Sequence, residues 1–329
     1  MGRRVEPRRS GVIPELPYLA PWYRLASTDE AVVLEYGQCI ICLAGRAGAV
    51  LVPVLLPLLD GTRTLDEIVE VLGEPARPAI EGALERLTEY DLLLNGPPPP
   101  DDSPAPLVAA AEFLASLQPG GLTPHDAAAS LRSLSVTVVG TGAAAAEIVR
   151  LMQVSGVEVC RASAISCDAD LVVCAPDPSQ LPGLPEWNSQ ALASGMQWLQ
   201  VLPFDGRYAC VGPLCIPGET CCFECFRRRR QANLDVGDEL VLLETSPATY
   251  PTPSFVSALI AGLATTVALR WLVLRDNGAP SAFYAIELGE DLAVTRHHVH
   301  RVPRCTGCSG IADAAAPLPW FKEHAAVGS

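Results

Sequence analysis

Four cysteines stand out by spacing. Cys222 and Cys225 form a C-x-x-C pair in GETCCFECFRRRR, and Cys305 and Cys308 form a second in VPRCTGC. Two thiolate pairs at this spacing suit a tetrahedral four-cysteine zinc site, each pair spanning one edge of the tetrahedron. The 79 residues between the pairs exceed any zinc ribbon, so the metal would clip the end of a domain to its middle. Two other chemistries fit the same residues, a dithiol redox pair and unliganded core thiols. Cys221 could exchange into the site, although the 222/225 pair has the better geometry. The HHVH run offers His298 and His300 on one face of a strand, with no third ligand in evident reach, and reads first as a solvent-facing strand. The four arginines, Arg227 to Arg230, read as a solvated helix face or as a docking site for an acidic partner.

A second chemical motif lies in SVTVVGTGAAAAEIVRLMQVSGVEV, residues 135 to 159. Gly140, Gly142 and Ala145 match G-x-G-x-x-(G/A) between a hydrophobic strand and an amphipathic helix, the turn that brings a phosphate to a helix N-terminus. The carboxylate that should follow at the end of the second strand to hold a ribose is missing. Val159, Cys160, Arg161 and Ala162 occupy that place, and Glu158 falls at the strand's start. The turn therefore reads as a vestige kept for packing.

These residues need a frame. A chain of 329 residues is long enough for more than one core. The formal net charge of −14 argues against a polyanion, and so against nucleic acid as the main partner. No apolar run of signal-peptide length follows the basic MGRRVEPRRS, so the chain reads as cytoplasmic, with its twelve cysteines reduced or metal-bound. Ser254 to Leu274 has the length of a membrane span, yet its hydroxylated residues and Arg270 indicate a buried helix and no membrane.

The proline-rich residues 96–106 read as a linker. Before it, AVVLEY and CIICLA flank Gly37-Gln38 as a hairpin, and three helical stretches and a short strand LLLN follow. Thr64 and Glu67 form a capping box, and Ile80, Ala83, Leu84 and Leu87 recur at helical spacing. This order predicts a winged helix-turn-helix. Its third helix carries four acidic and two basic residues and no basic stripe, a poor match to a phosphate backbone.

With its hairpin, LLDGTRTLDEIVEVL resembles the PqqD-like peptide-recognition domain, the recognition element of ribosomally made, modified peptides, over residues 28–95 of a domain taken as 1–95. The resemblance implies that a leader peptide adds as a strand to the sheet edge and packs on the third helix. On this chain the edge would be Val32, Leu34 and Tyr36, or Cys39 and Ile41, with Ile80, Leu84 and Leu87 facing it, unless these only fill the core.

From the Gly turn through GPLCIPGETCCFECF, the long helix and the hairpin SAFYAIELGEDLAVTRHHV to RCTGC, residues 107–312 resemble the ThiF superfamily, with an α/β, ubiquitin-activating-enzyme-like Rossmann-type domain, before a tail at 313–329. The arrangement is most similar to the ocin-ThiF-like, leader-binding partners of YcaO cyclodehydratases. Adenylating members follow the Gly turn with a ribose-binding Asp and an N-x-x-R-Q segment, where this chain has CRASAISCDAD. The expectation is a non-catalytic scaffold, able to pair with a second copy as a homodimer, that holds a precursor leader for a YcaO cyclodehydratase forming thiazolines or oxazolines, as in azole-containing peptide and thiopeptide biosynthesis. The alternative is an ATP-dependent adenylating enzyme acting on a peptide.

Overall fold

A computed structural model describes residues 12–309 apart from 38, 46, 119, 166, 167, 236, 247 and 291. The expected tail at 313–329 lies outside the described residues. The chain forms two compact units. One holds Met1–Ser135, Arg150–Val159 and Leu269–Arg275, and the other holds Val136–Val149, Cys160–Ala268 and Asp276–Ser329.

The first unit begins with β1 (Pro17–Leu19), β2 (Arg24–Ser27), β3 (Ala31–Tyr36) and β4 (Cys39–Ala44). β3 and β4 form the expected hairpin, closed by Tyr36 opposite Cys39, with Gly37 in the left-handed region that such a tight turn requires. A distorted helix over 47–58 passes through π, α and 3-10 hydrogen bonding, with only α1 (Val52–Leu55) regular. Pro53 and Pro57 lack the N–H groups that an uninterrupted helix needs. α2 (Leu65–Leu72) is opened by the Thr64–Glu67 capping box, complete in both directions. α3 (Arg77–Glu89) leads to β5 (Leu93–Asn95), which pairs with β1 and not with the three-stranded sheet β2-β3-β4.

Residues 96–106 do not stand apart from this unit. Gly96 packs against Gly61, the Pro97 carbonyl accepts from the His125 N–H, and α4 (Ala105–Ser116) and α5 (Pro124–Ser133) follow within the same unit. The Tyr18 hydroxyl donates to buried Glu112 of α4.

The other unit is built on a seven-stranded sheet. Its strands are β6 (Ser135–Val139), β7 (Glu158–Ala162), β8 (Leu171–Cys174), β9 (Trp198–Leu202), β10 (Tyr208–Cys215), β11 (Ala282–Glu287) and β12 (Val294–His298), in the order β12-β11-β10-β9-β8-β6-β7. β6, β8 and β9 run parallel, as a Rossmann-type unit should, whereas β9 to β12 pair antiparallel. The sheet is thus mixed, parallel through β6, β8 and β9. The loop of 203–207 between β9 and β10 is too short for the crossover that a parallel pairing needs.

The helices of this unit are α7 (Leu184–Ser194), α8 (Phe223–Ala232) and α9 (Gly237–Glu244), with the larger parts of α6 (Ala143–Val154) and α10 (Ser254–Leu274), whose last turns are counted with the first unit. α10 has the length and apolarity of a membrane span, but 56% of its most apolar window is buried in protein. A core of Val139, Val172, Leu184, Trp187 and Trp198 continues into Cys222, Phe223, Cys225 and Cys305, so the cysteine knuckle is part of the core of this unit.

Candidate metal centre, nucleotide turn and peptide edge

The four predicted cysteines converge. Their Sγ atoms lie within 4.8 Å of one another, with Cys222–Cys225 at 3.8 Å, Cys222–Cys305 at 3.7 Å and Cys225–Cys308 at 3.6 Å. A tetrahedral ion with sulfur at about 2.3 Å requires S–S edges of roughly 3.8 Å, and these three edges match that length, so the four thiols could hold a metal ion. The separations are far longer than the ~2 Å of a disulfide.

Local structure favours thiolate here. Cys222 is the N-cap of α8 and Cys225 lies in its first turn, where the helix dipole stabilises negative charge. The Cys225 thiol is held far below its ordinary value, to about 4, first by the hydrogen bond from Cys222 and then, against burial, by the Val302 N–H at 3.3 Å. Cys222, the donor of that pair, is pushed up. Cys221 does not join the group. Its hydrogen-bond partners are Cys215 and Ser281.

The arginine run has a structural job that its sequence did not reveal. Arg227 and Arg228 both bind Glu224, and Arg228 also reaches the Thr306 hydroxyl at 3.0 Å. Arg229 donates to the carbonyls of His300 and Arg301, and Arg301 in turn donates to those of Gly218 and Cys308. Two of the four arginines, Arg228 and Arg229, therefore fasten the segment that carries the second cysteine pair, and Arg227 is held within its own helix and by Glu244. Asn188 of α7, which carried no sequence signal, is 4% exposed and caps α8 by accepting from the Phe223 N–H at 2.9 Å. A Cβ on Gly307 would come within 3.3 Å of the Cys222 sulfur, so a side chain there would crowd the centre.

Gly140, Gly142 and Ala145 take the expected strand-turn-helix positions, with Gly140 at φ +134° and a Cβ there only 2.0 Å from the Ala175 carbonyl oxygen. The space beside the turn belongs to the loop after β8. The Thr141 N–H donates to Gln180 Oε1 at 3.0 Å, and the Thr141 hydroxyl donates to Asp177 Oδ2 at 2.6 Å. Burial pushes the Asp177 carboxyl up, but hydrogen bonds from Ser179, Thr141 and the Gln180 N–H outweigh it and hold the group below its usual range. A carboxylate thus sits beside the turn. Arg161, at the place of the missing ribose acid, donates to the Gly140 carbonyl at 3.0 Å. Sequence reading passed over Asp177 and Gln180, although D-P-S-Q is a capping box visible in the chain.

At the candidate peptide edge the residues separate. β3 pairs with β2 on one side and β4 on the other, so Val32, Leu34 and Tyr36 offer no free edge. Val32, Leu34, Ile41, Ile80, Leu84 and Leu87 are all at most 1% exposed and interlock as the core of the unit, which leaves none of those side chains at the surface. The physical reason is the period-2 alternation, which turns these strand residues toward the helices. What is accessible is the outer side of β4. The closing pair Tyr36–Cys39 and the Gly45 N–H to Glu30 carbonyl bond set the alternation, so the N–H and C=O groups of Ile40, Cys42 and Ala44 point away from β3. Among the described residues β4 has no second strand partner, and Ile40 is 72% exposed.

No protein-family model and no curated protein matches the chain. Solved structures do. A heterocyclase in complex with substrate and cofactor superposes with a TM-score of 0.65 at 25% identity over 89% of this chain, and the heterocyclase TruD with 0.64 at 25% over 90%. This chain spans about two-fifths of those chains, 39% and 43%. E. coli MccB with ATP matches at 0.61 and 14% identity over 89% of this chain and 99% of its own, a likeness of fold alone.

Proposed function

We propose that this chain is a non-catalytic, ThiF-like scaffold for the modification of a ribosomally made peptide. A winged-helix recognition domain in its first unit takes up a precursor leader as an added strand on β4, and a separate YcaO-type cyclodehydratase forms the azolines on the core peptide. The likeness to two heterocyclases supports the reaction class. The free outer side of β4 supports the mode of capture, because unpaired backbone groups bind an extended chain whatever its side chains, and the exposed Ile40 adds preference. Holding the leader raises the effective concentration of the core peptide at the partner enzyme without any chemistry in this chain. Self-pairing of the chain belongs to the same proposal.

The observation that carries the non-catalytic half is the Gly turn. Its first N–H is already used by Gln180, the ionised Asp177 stands where phosphate charge would have to sit, and Arg161 is spent on Gly140. A nucleotide would have to displace all three. Cys222, Cys225, Cys305 and Cys308 would hold zinc, whose role there is structural, with no position left for water or substrate among four sulfur ligands.

Two titrations of the full chain test the proposal. Calorimetry with Mg-ATP should show no binding below millimolar concentration, and micromolar binding would replace the scaffold by the adenylating enzyme. Fluorescence polarisation with labelled leader peptides from a neighbouring precursor gene should give saturable binding that is lost on deleting residues 1–96.

A further inference from the structure

One member of the arginine run is unexplained. Among the described residues the Arg230 guanidinium makes no hydrogen bond and no close ion pair, only a longer-range attraction to Glu244, while the side chains of Arg227, Arg228 and Arg229 are all engaged. Its exposed guanidinium lies on the common wall of two adjoining cavities of about 440 and 770 Å³, which also share Leu202, Asp205, Cys210 and Phe226. Both fall within the ~300–1,000 Å³ typical of ligand sites.

The cavities differ in chemistry. The smaller is apolar, walled by Leu181, Leu240, Leu243 and Tyr250, with one acidic contributor of its own, Glu244, besides the Arg227-bound Glu224. Its Glu244 Oε2 has no hydrogen-bond partner but lies 3.8 Å from Arg227 Nη1, and burial raises that carboxyl against the pull of Arg227 and Arg230, so the charges of this cavity are matched among its own residues and its remaining walls are apolar. The larger sets the two arginines Arg229 and Arg230, with the imidazoles of His297 and His298 as further polar groups, against Asp205 alone, whose Oδ1 already accepts from the Arg207 and Tyr208 N–H groups. In a chain of net charge −14 this is a local cationic surface. It is bordered by β12, an outermost strand of the sheet whose residues are all exposed. A small acid would have no use for a strand edge, whereas an extended chain can pair with its backbone groups.

We propose that these two cavities form one site for an extended peptide segment with an acidic side chain among apolar ones, the carboxylate on Arg230 in the larger cavity and an apolar neighbour in the smaller. Arg230 and the β12 border of the larger cavity are separate from the Gly turn, since β12 lies five strands from β6 in the sheet order, while Leu181 and Pro182 of the smaller cavity follow Gln180, which binds Thr141. The site is distinct from the β4 edge, and so does not depend on leader capture.

The test uses the full metal-loaded chain and two fluorescein-labelled, acetylated probes, Leu-Ser-Asp-Leu-Phe-Ser and its Asn counterpart, by fluorescence polarisation. A charge-assisted hydrogen bond predicts that the Asp probe binds about tenfold or more tighter. Arg230→Gln should weaken the Asp probe to the level of the Asn probe and leave the latter unchanged. Leu243→Asp, at a side chain 70% exposed and therefore tolerant of change, should weaken both probes. Melting temperature and metal content verify that each variant is folded. Equal affinities for the two probes, or discrimination that survives Arg230→Gln, overturn the assignment, as does displacement of the Asp probe by octanoate at the peptide's own concentration, which would make the site one for small acids.

Discussion

Cys305→Ser is the sharpest perturbation of the candidate metal centre. Cys305 is fully buried, its sulfur is 3.7 Å from that of Cys222, and the two pairs close a loop of 79 residues. Structural zinc in small sites is worth on the order of 10 kcal/mol or more of apparent folding free energy, against a net stability of about 5–15 kcal/mol for a domain. Serine leaves a three-sulfur site with a buried hydroxyl that is a poor zinc ligand. Part of the segment 299–309 should still be held by the Arg229 and Arg301 hydrogen bonds to backbone carbonyls, so the loss falls short of the whole metal term. Taking about 4–5 kcal/mol as the share lost, a unit of this size should melt roughly 10–20 °C lower. The assay is metal content per chain by elemental analysis, paired with melting in the presence and absence of a chelator. The native chain should carry one zinc and lose stability to the chelator, and the variant should carry little and be insensitive to it. Native-like metal content in Cys305→Ser, or a native melting point indifferent to chelation, refutes the clip.

Cys42→Pro removes an outward N–H on β4 while leaving the bonds to β3 in place, a change that edge strands tolerate. It should reduce leader affinity about tenfold or more in polarisation assays, with helical circular dichroism unchanged. Gly140→Ala forces a Cβ against the Ala175 carbonyl at a backbone conformation that L residues resist, so chemical denaturation should show a loss of about 2–4 kcal/mol. The folded-state pKa of Asp177 lies below its unfolded value, so its stabilisation is complete above the unfolded pKa, near pH 4, and is lost as pH falls through the lower, folded value. The stability difference between the native chain and Asp177→Asn should shrink steadily with acidification below pH 4, and a difference that does not vary with pH would count against an ionised carboxylate beside the turn.

How far the chain could be read in advance depended on the range of the interaction. Features set by neighbours in sequence were legible: the Gly37 hairpin, the Thr64–Glu67 cap, the Gly140 turn and the two C-x-x-C pairs, each written within a few residues. Features set by pairing partners were not. Period-2 alternation named Val32 and Leu34 as inward-facing, but whether β3 was an edge depended on β2, whose RLAS carries no strand signal stronger than its surroundings. The same holds for residues 96–106, where composition alone indicates a free linker and only the packing of Gly96 on Gly61 ties them down. The arginine run shows the limit most clearly. Four identical side chains in a row present one charge pattern, yet helical geometry points successive residues about 100° apart, so each meets a different neighbour. Two find Glu224, one finds the carbonyls of the returning chain, and the fourth faces open cavities. Treating the run as a single solvated face averages over four environments. Partner-binding assays on variants of the whole run would mix loss of the metal clip with loss of any ligand contact, and only Arg230 separates them.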